Sequence, residues 1–315
     1  MPDWILHLGA ADALLRHRRT LDLRWLWLGA VLPDVFPRVA AQALYVVPGG
    51  HEIRSVMLHV YLSFLHTPFS VALMIVALVA VARGRGMAAF GLAFGAVTHF
   101  VLDGMQRSYG GGSSLLYPFD VALYSWPVCW YENPGTYVAV PALGAYLVWM
   151  LVRGRPLRRD PPFRGLSAGV GGVAGASLVL CFALPFAFFG TAVEHNLRHA
   201  AFALDPAKFE GEAIELTAVA VTADDPDDPV DDDYLYVDAG PEPVPVLAAL
   251  LPGVEPGDHV SVRGTYLHGE LQPDVFFVHD YPYKRAVSLV GAVFRASRWW
   301  PSLRAQWRRS RREEG

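Results

Sequence analysis

The sequence predicts an α-helical integral membrane domain of four or more transmembrane helices, followed by a small extracytoplasmic β domain. Three observations carry this expectation: long uncharged runs in the first two thirds of the chain, a switch to strand-type alternation near Asp205, and an intermediate hydrophobicity. The 315 residues are 53% hydrophobic and 18% charged, with a mean hydropathy of +0.28. That is apolar for a soluble protein and polar for one wholly embedded in lipid. A net charge of −4 gives no general basic field, so no nucleic-acid partner is expected. Cys129 and Cys181 lie far apart without CxxC spacing, which points to neither a thiolate metal site nor a disulfide framework.

A helical membrane domain is assigned to residues 1–200. At its start, MPDWILHLGAADALL and LDLRWLWLGAVLPDVFPR flank a basic RHRR and read as short or half-buried helices. Asp3 and Asp12 disfavour a secretory signal, and the second helix is expected to stop at Pro33, leaving Asp34 free to turn into a site. Four spans follow. The run from Val56 to Val81 exceeds the roughly 20 residues that cross a hydrocarbon core; a second run occupies Gly86–Leu102, a third lies between Glu132 and Arg153, and a fourth between Arg164 and Glu194. Glycine and alanine on the second and fourth favour close helix packing in lipid. Arginines cluster between the first two spans (Arg83, Arg85) and between the last two (Arg153, Arg155, Arg158, Arg159, Arg164), which places both turns in the cytoplasm. The expected location is therefore the inner membrane, with the β domain extracytoplasmic.

Residues 205–283 form that β domain, with AIELTAVAVT, DYLYVD, DHVSVRGTYL and DVFFVHD as strands between Pro, Gly and Asp clusters. About five short strands in such a length suit a small barrel of OB type or a sandwich fragment. The acidic run Asp224–Asp233 reads as a solvated hairpin tip, since it lacks the Gly and Glu of a calcium loop. Residues 284–315 read as a short apolar or amphipathic helix with a basic tail. Its uncharged stretch is too brief for a comfortable span, yet its arginines favour the cytoplasm, so whether residues 286–296 cross stays open.

Within the apolar runs stand His7, Asp34, His59, His66, His99 and Asp103. Ionisable side chains inside spans need partners and mark function. His99 and Asp103 lie one helical turn apart on one face, a spacing that suits either a hydrogen bond or a shared metal ligand pair. Imidazoles and carboxylates without thiolates suit zinc first, with manganese or iron as alternatives. Glu132 is either a further ligand or a solvated residue at a span edge. The aromatics of the loop after Gly104 (Tyr124, Trp126, Trp130, Tyr131) form an interfacial belt or a lid.

The motif order, His7 in ILHLGA, Asp34 in GAVLPDVF, His66 in FLHTPFS, His99 and Asp103 in GAVTHFVLDG, and Tyr117–Phe119 in LLYPF, resembles the YdjM/YbcI-type family of inner-membrane metal-dependent hydrolases. The family is itself similar in motif order to zinc-dependent phospholipases C. The match covers residues 1 to about 130 and departs from the family around the central histidine, where this chain has LHVYLSFLHTPFS. The resemblance implies a hydrolase that holds a divalent metal with His7, Asp34, His66, His99 and Asp103, with Asp34 also the candidate catalytic base. A membrane lipid or lipid-linked phosphoester is the natural substrate. The alternative is a non-catalytic membrane scaffold or assembly protein that presents the β domain to a protein partner.

Overall fold

A computed structural model describes residues 4–15, 21–46, 56–107, 112–128, 130, 132–153, 160–165, 167–191, 201–202, 205–222, 234–238 and 243–313. Its helices are α1 (Trp4–Leu15), α2 (Leu23–Val46), α3 (Val56–Leu65), α4 (Pro68–Val81), α5 (Arg85–Gly104), α6 (Pro134–Arg153), α7 (Ala168–Ala187) and α8 (Tyr281–Glu313). Between α7 and α8 lie the strands β1 (Ala213–Thr222), β2 (Tyr234–Val237), β3 (Val244–Leu247), β4 (His259–Leu267) and β5 (Glu270–His279). The acidic run Asp224–Asp233, Cys129 and Tyr131 lie outside the described residues, as does the side chain of His59.

Three helices, Arg85–Gly104, Pro134–Val152 and Ala168–Ala187, are long and apolar enough to cross a membrane; they coincide with the second, third and fourth expected spans. The first expected span is instead two helices. Thr67 caps α4 by accepting from the Ser70 N–H, and Pro68 takes the first helical position, a strong start signal. Proline also disfavours helical backbone in the residue before it, which together with the Thr67 cap favours a break between α3 and α4. His66 sits in the resulting turn.

The expected stop at Pro33 is also corrected, because α2 continues through Pro33 and Pro37 to Val46. An interior proline costs a helix about 3 kcal/mol, but every residue from 21 to 34 is buried. In such surroundings an ended helix would leave more backbone groups without partners than the proline removes. α2 is thus the central helix, packed by α1 and α8 on one side and by α4 and α5 on the other.

The contact between α2 and α5 is made backbone to backbone. A Cβ added at Gly29 would fall on the Leu92 carbonyl, and one at Gly95 would fall on the Ala30 nitrogen and Leu26 oxygen. Gly91 packs less tightly, where a Cβ would stand 3.0 Å from the Leu26 nitrogen and 3.1 Å from the Trp25 Cβ. Small residues are what allow helices in lipid to approach this far. The remaining apolar side chains of α6 and α7 mostly face outward, among them Val138, Val152 and Val179, as lipid-facing positions do.

The C-terminal segment is a single helix of 33 residues, not a short helix with a separate tail. It packs chiefly on α1 and α2 and reaches α6 through side chains near the two ends of that helix. At one end Tyr137 packs on Tyr283 at 5.1 Å and its hydroxyl donates to Asp280 at 3.3 Å; at the other Arg298 donates to the Met150 carbonyl at 3.3 Å. Lower still, the buried Arg24, paired with Asp22 at 2.7 Å, donates to Ser302, and Trp299 donates to the Arg24 carbonyl at 3.2 Å.

The strands form an open antiparallel sheet in the order β3-β2-β1-β4-β5; no ladder joins β3 to β5 among the described residues. His268 and Gly269, both at positive φ, make the two-residue turn that pairs Leu267 with Glu270, as tight hairpins require. A register shift after Arg263 lets Pro273 face Gly264, the kind of irregularity at which a strand tolerates proline. One face buries Ile214, Leu216, Val260, Val262 and Leu271.

The sheet is joined to the helices through buried polar groups. His279 Nδ1 donates to Glu132 Oε1 at 3.0 Å and its Nε2 meets Ser261 Oγ at 2.7 Å; Trp130 stacks on Phe277 at 4.3 Å. This Ser–His–Glu chain has the connectivity of a nucleophilic triad, but Ser261 is wholly buried in the sheet, so the chain serves as a joint. Glu132 is correspondingly no solvated span edge.

Two outcomes test this architecture. Gly95→Val should destabilise the protein by about 3 kcal/mol or more, because overpacking a backbone contact cannot be relieved by rotamer change; the check is thermal unfolding in detergent. His279→Ala should leave the helices intact and speed protease cleavage between α7 and α8 severalfold, read by limited proteolysis of the purified protein.

Candidate metal centre

Asp34, His66, His99 and Asp103 converge, each offering one ligand atom, with all four atoms within 4.8 Å of one another. They arrive by three routes. Asp34 is carried by α2 one residue beyond Pro33, His66 by the α3–α4 turn, and His99 and Asp103 by successive turns of α5. The glycine contact between α2 and α5 sets the separation of the first and third.

The spacing has the scale of a coordination shell. His66 Nε2 stands 3.0 Å from His99 Nε2 and 3.1 Å from Asp103 Oδ2; His99 Nε2 is 3.2 Å from the same oxygen. Asp34 Oδ1 is 3.5 Å from His66 Nε2 and 3.9 Å from His99 Nε2. Four atoms bound tetrahedrally at zinc-like distances would be separated by about 3.3 Å.

Protonation sharpens the fit. His99 Nδ1 lies 2.8 Å from the Ala30 carbonyl, which can only accept, so Nδ1 carries the proton and Nε2 presents its lone pair to the cluster when the ring is neutral. That lone pair faces His66 Nε2, and two ring nitrogens at 3.0 Å need a proton or a cation between them. Asp34 is held by the Trp4 indole, whose Nε1 donates to Oδ2 at 3.1 Å. The indole fixes one carboxylate oxygen and aims the other inward.

Charge gives a second test. Asp34 and His99 are completely buried, and Asp103 and His66 retain only 7% and 10% side-chain exposure. Two carboxylates in such a place carry a double negative charge that a divalent cation cancels. The donor set of two imidazoles and two carboxylates is one that zinc, manganese and iron accept. These residues therefore fit a divalent metal ion.

His7 is brought to the cluster but stands beside the four-residue group. Its ring stacks on His99 at 3.9 Å and its Nε2 is 3.5 Å from Asp103 Oδ1. Neither His7 nitrogen, nor Asp103 Oδ1, has a hydrogen-bond partner among the described residues. Buried polar atoms in that condition are rare and point to an unfilled role.

Tyr117 of the LLYPF segment is buried against Phe64 and Phe188, whereas Phe119 projects outward. Trp126 covers Gly104, where a Cβ would meet its ring. The loop thus packs on the end of α5 next to Asp103. Sequence reasoning did not single out Trp4 or the Ala30 carbonyl. A tryptophan three residues before His7 carries a donor that needs a buried acceptor, and that was the available signal.

Purified protein should retain about one equivalent of a divalent transition metal, measured by inductively coupled plasma mass spectrometry. His99→Ala and Asp103→Asn should each lower retained metal at least tenfold. Trp4→Phe, which removes only the donor to Asp34, should cost about 10-fold to 100-fold in affinity, as loss of an outer-shell partner does.

No protein-family model, curated protein or solved structure matches the chain.

Proposed function

We propose that the protein is a membrane-bound, metal-dependent hydrolase acting on a lipid or lipid-linked phosphoester, of the YdjM/YbcI type that its motif order resembles. The observation that carries this reading is the buried convergence of Asp34, His66, His99 and Asp103. A polar clamp between helices would need one hydrogen-bonded pair; this cluster spends two carboxylates and two imidazoles on a single point. When bound, zinc, manganese or iron would supply Lewis acidity to a phosphoryl oxygen and make water acidic enough to act near neutral pH.

The chain's own residues divide the remaining work. Asp34, aimed by Trp4, serves as ligand, and this supports His7, in place of Asp34, as the group that takes the proton from water. His7 lies next to Asp103 Oδ1 without a place among the four ligands, which is where a proton acceptor is of use. The stack on His99, at 3.9 Å, orients the imidazole. The residual exposure of His66 and Asp103 marks the side from which a headgroup would arrive, under the loop that carries Trp126. On the topology expected from the arginine turns, that side is extracytoplasmic.

The test is turnover in vesicles that carry, in separate preparations, phosphomonoester, phosphodiester and carboxyl-ester lipids. One phosphate-bearing lipid should be consumed after loading with zinc or manganese, chelation should abolish it, and His7→Ala should lower kcat at least 100-fold while metal content stays unchanged. Stoichiometric metal with no turnover of any of these lipids would overturn the hydrolase reading and favour the scaffold, in which the β domain presents itself to a protein partner.

A further inference from the structure

Between α8 and the pair α4 and α7 lies a groove of about 690 Å³, within the roughly 300–1,000 Å³ typical of small-molecule sites. Its floor is α2. It begins at Trp4 and Val35, below the metal centre, and ends at Val81, Phe163 and Trp300. That end adjoins the turn where Arg83 donates to the Phe163 carbonyl and Arg164 to the Ala80 carbonyl. The lining side chains are aliphatic or aromatic, and Arg295 is the one charged residue among them.

Arg295 makes no hydrogen bond or ion pair with any described residue, although its helical neighbours Arg298 and Trp299 are both engaged. It stands one turn inside the level of Trp299 and Trp300, a residue type that seats at the headgroup level. A guanidinium placed against apolar walls without a counter-charge is costly, and an anion resolves it. A free anion would leave the groove's apolar length empty, and a neutral lipid would leave the charge unpaired.

We propose that this groove holds one acyl chain of an anionic phospholipid, drawn from the leaflet on the side of the Arg83 turn, with its phosphate paired to Arg295. The site is separate from the metal centre and independent of the hydrolase reading. Its far end is closed by Trp4, the residue that also aims Asp34, so the chain terminus packs against the back of the metal centre's support.

Native mass spectrometry of the full, delipidated chain titrated with phosphatidylglycerol and phosphatidylcholine of identical chains tests this. Wild type should bind one phosphatidylglycerol at least tenfold more tightly than phosphatidylcholine. Arg295→Gln should bring that ratio close to one, Arg295→Lys should retain most of it, and Ala77→Phe, which fills the groove, should weaken both lipids. Equal affinities in wild type, or a preference unchanged by Arg295→Gln, would overturn the proposal. Should Arg295→Gln fail to elute as a single species, undiminished binding to Ala77→Phe overturns it and weakened binding supports it.

Discussion

The backbone contact between α2 and α5 is the constraint on which the site depends. A side chain at Gly29 or Gly95 would meet backbone atoms of the other helix well inside van der Waals contact, so the two helices would have to move apart. His99 would lose the Ala30 carbonyl that fixes its tautomer. Asp34 and Asp103 would no longer face a common point. In lipid, where burial of apolar area gives little preference for helix over acyl chain, such close packing is itself the source of association. The same contact thus supplies both stability and ligand geometry.

Electrostatics explains why the site is enclosed by hydrogen-bonded supports. Two of the four ligands have a partner behind them: the Trp4 indole behind Asp34 and the Ala30 carbonyl behind His99. Supports of this kind remove the rotational freedom that a buried charge would otherwise use to escape toward solvent. A second polar system, Glu132 with His279 and Ser261, does comparable work at the junction with the sheet. Both sit at the end of the bundle nearest the β domain, while Arg24, Asp22 and Ser302 tie the opposite end.

Much of this was legible in the sequence, for reasons that differ by residue. The three crossing-length helices follow from charge-free runs, and the pairing of His99 with Asp103 follows from helical spacing alone. His66 and Asp34 could be named as ionisable residues in apolar runs, but their meeting with α5 is tertiary and rests on glycines whose purpose only packing reveals. Two boundaries depart from the local pattern: burial outweighs the stop signal at Pro33, while Thr67 followed by Pro68 outweighs apolar length. The single long α8 was hidden because its arginines and tryptophans mask a helix whose partners are Trp4, Arg24 and α6.

The turn between α3 and α4 gives the site an unequal sensitivity to changes in chain length. Adding a residue to a helix rotates everything beyond it by about 100° relative to what came before. Within α5 such an addition between Gly95 and His99 would swing the imidazole away from α2. Within α3 the added rotation can be taken up where the chain leaves helical conformation at His66, since Thr67 and Pro68 restart the next helix on their own terms. The half-helix before His66 is therefore the part of the membrane domain most open to divergence in length, and α5 the part least open to it.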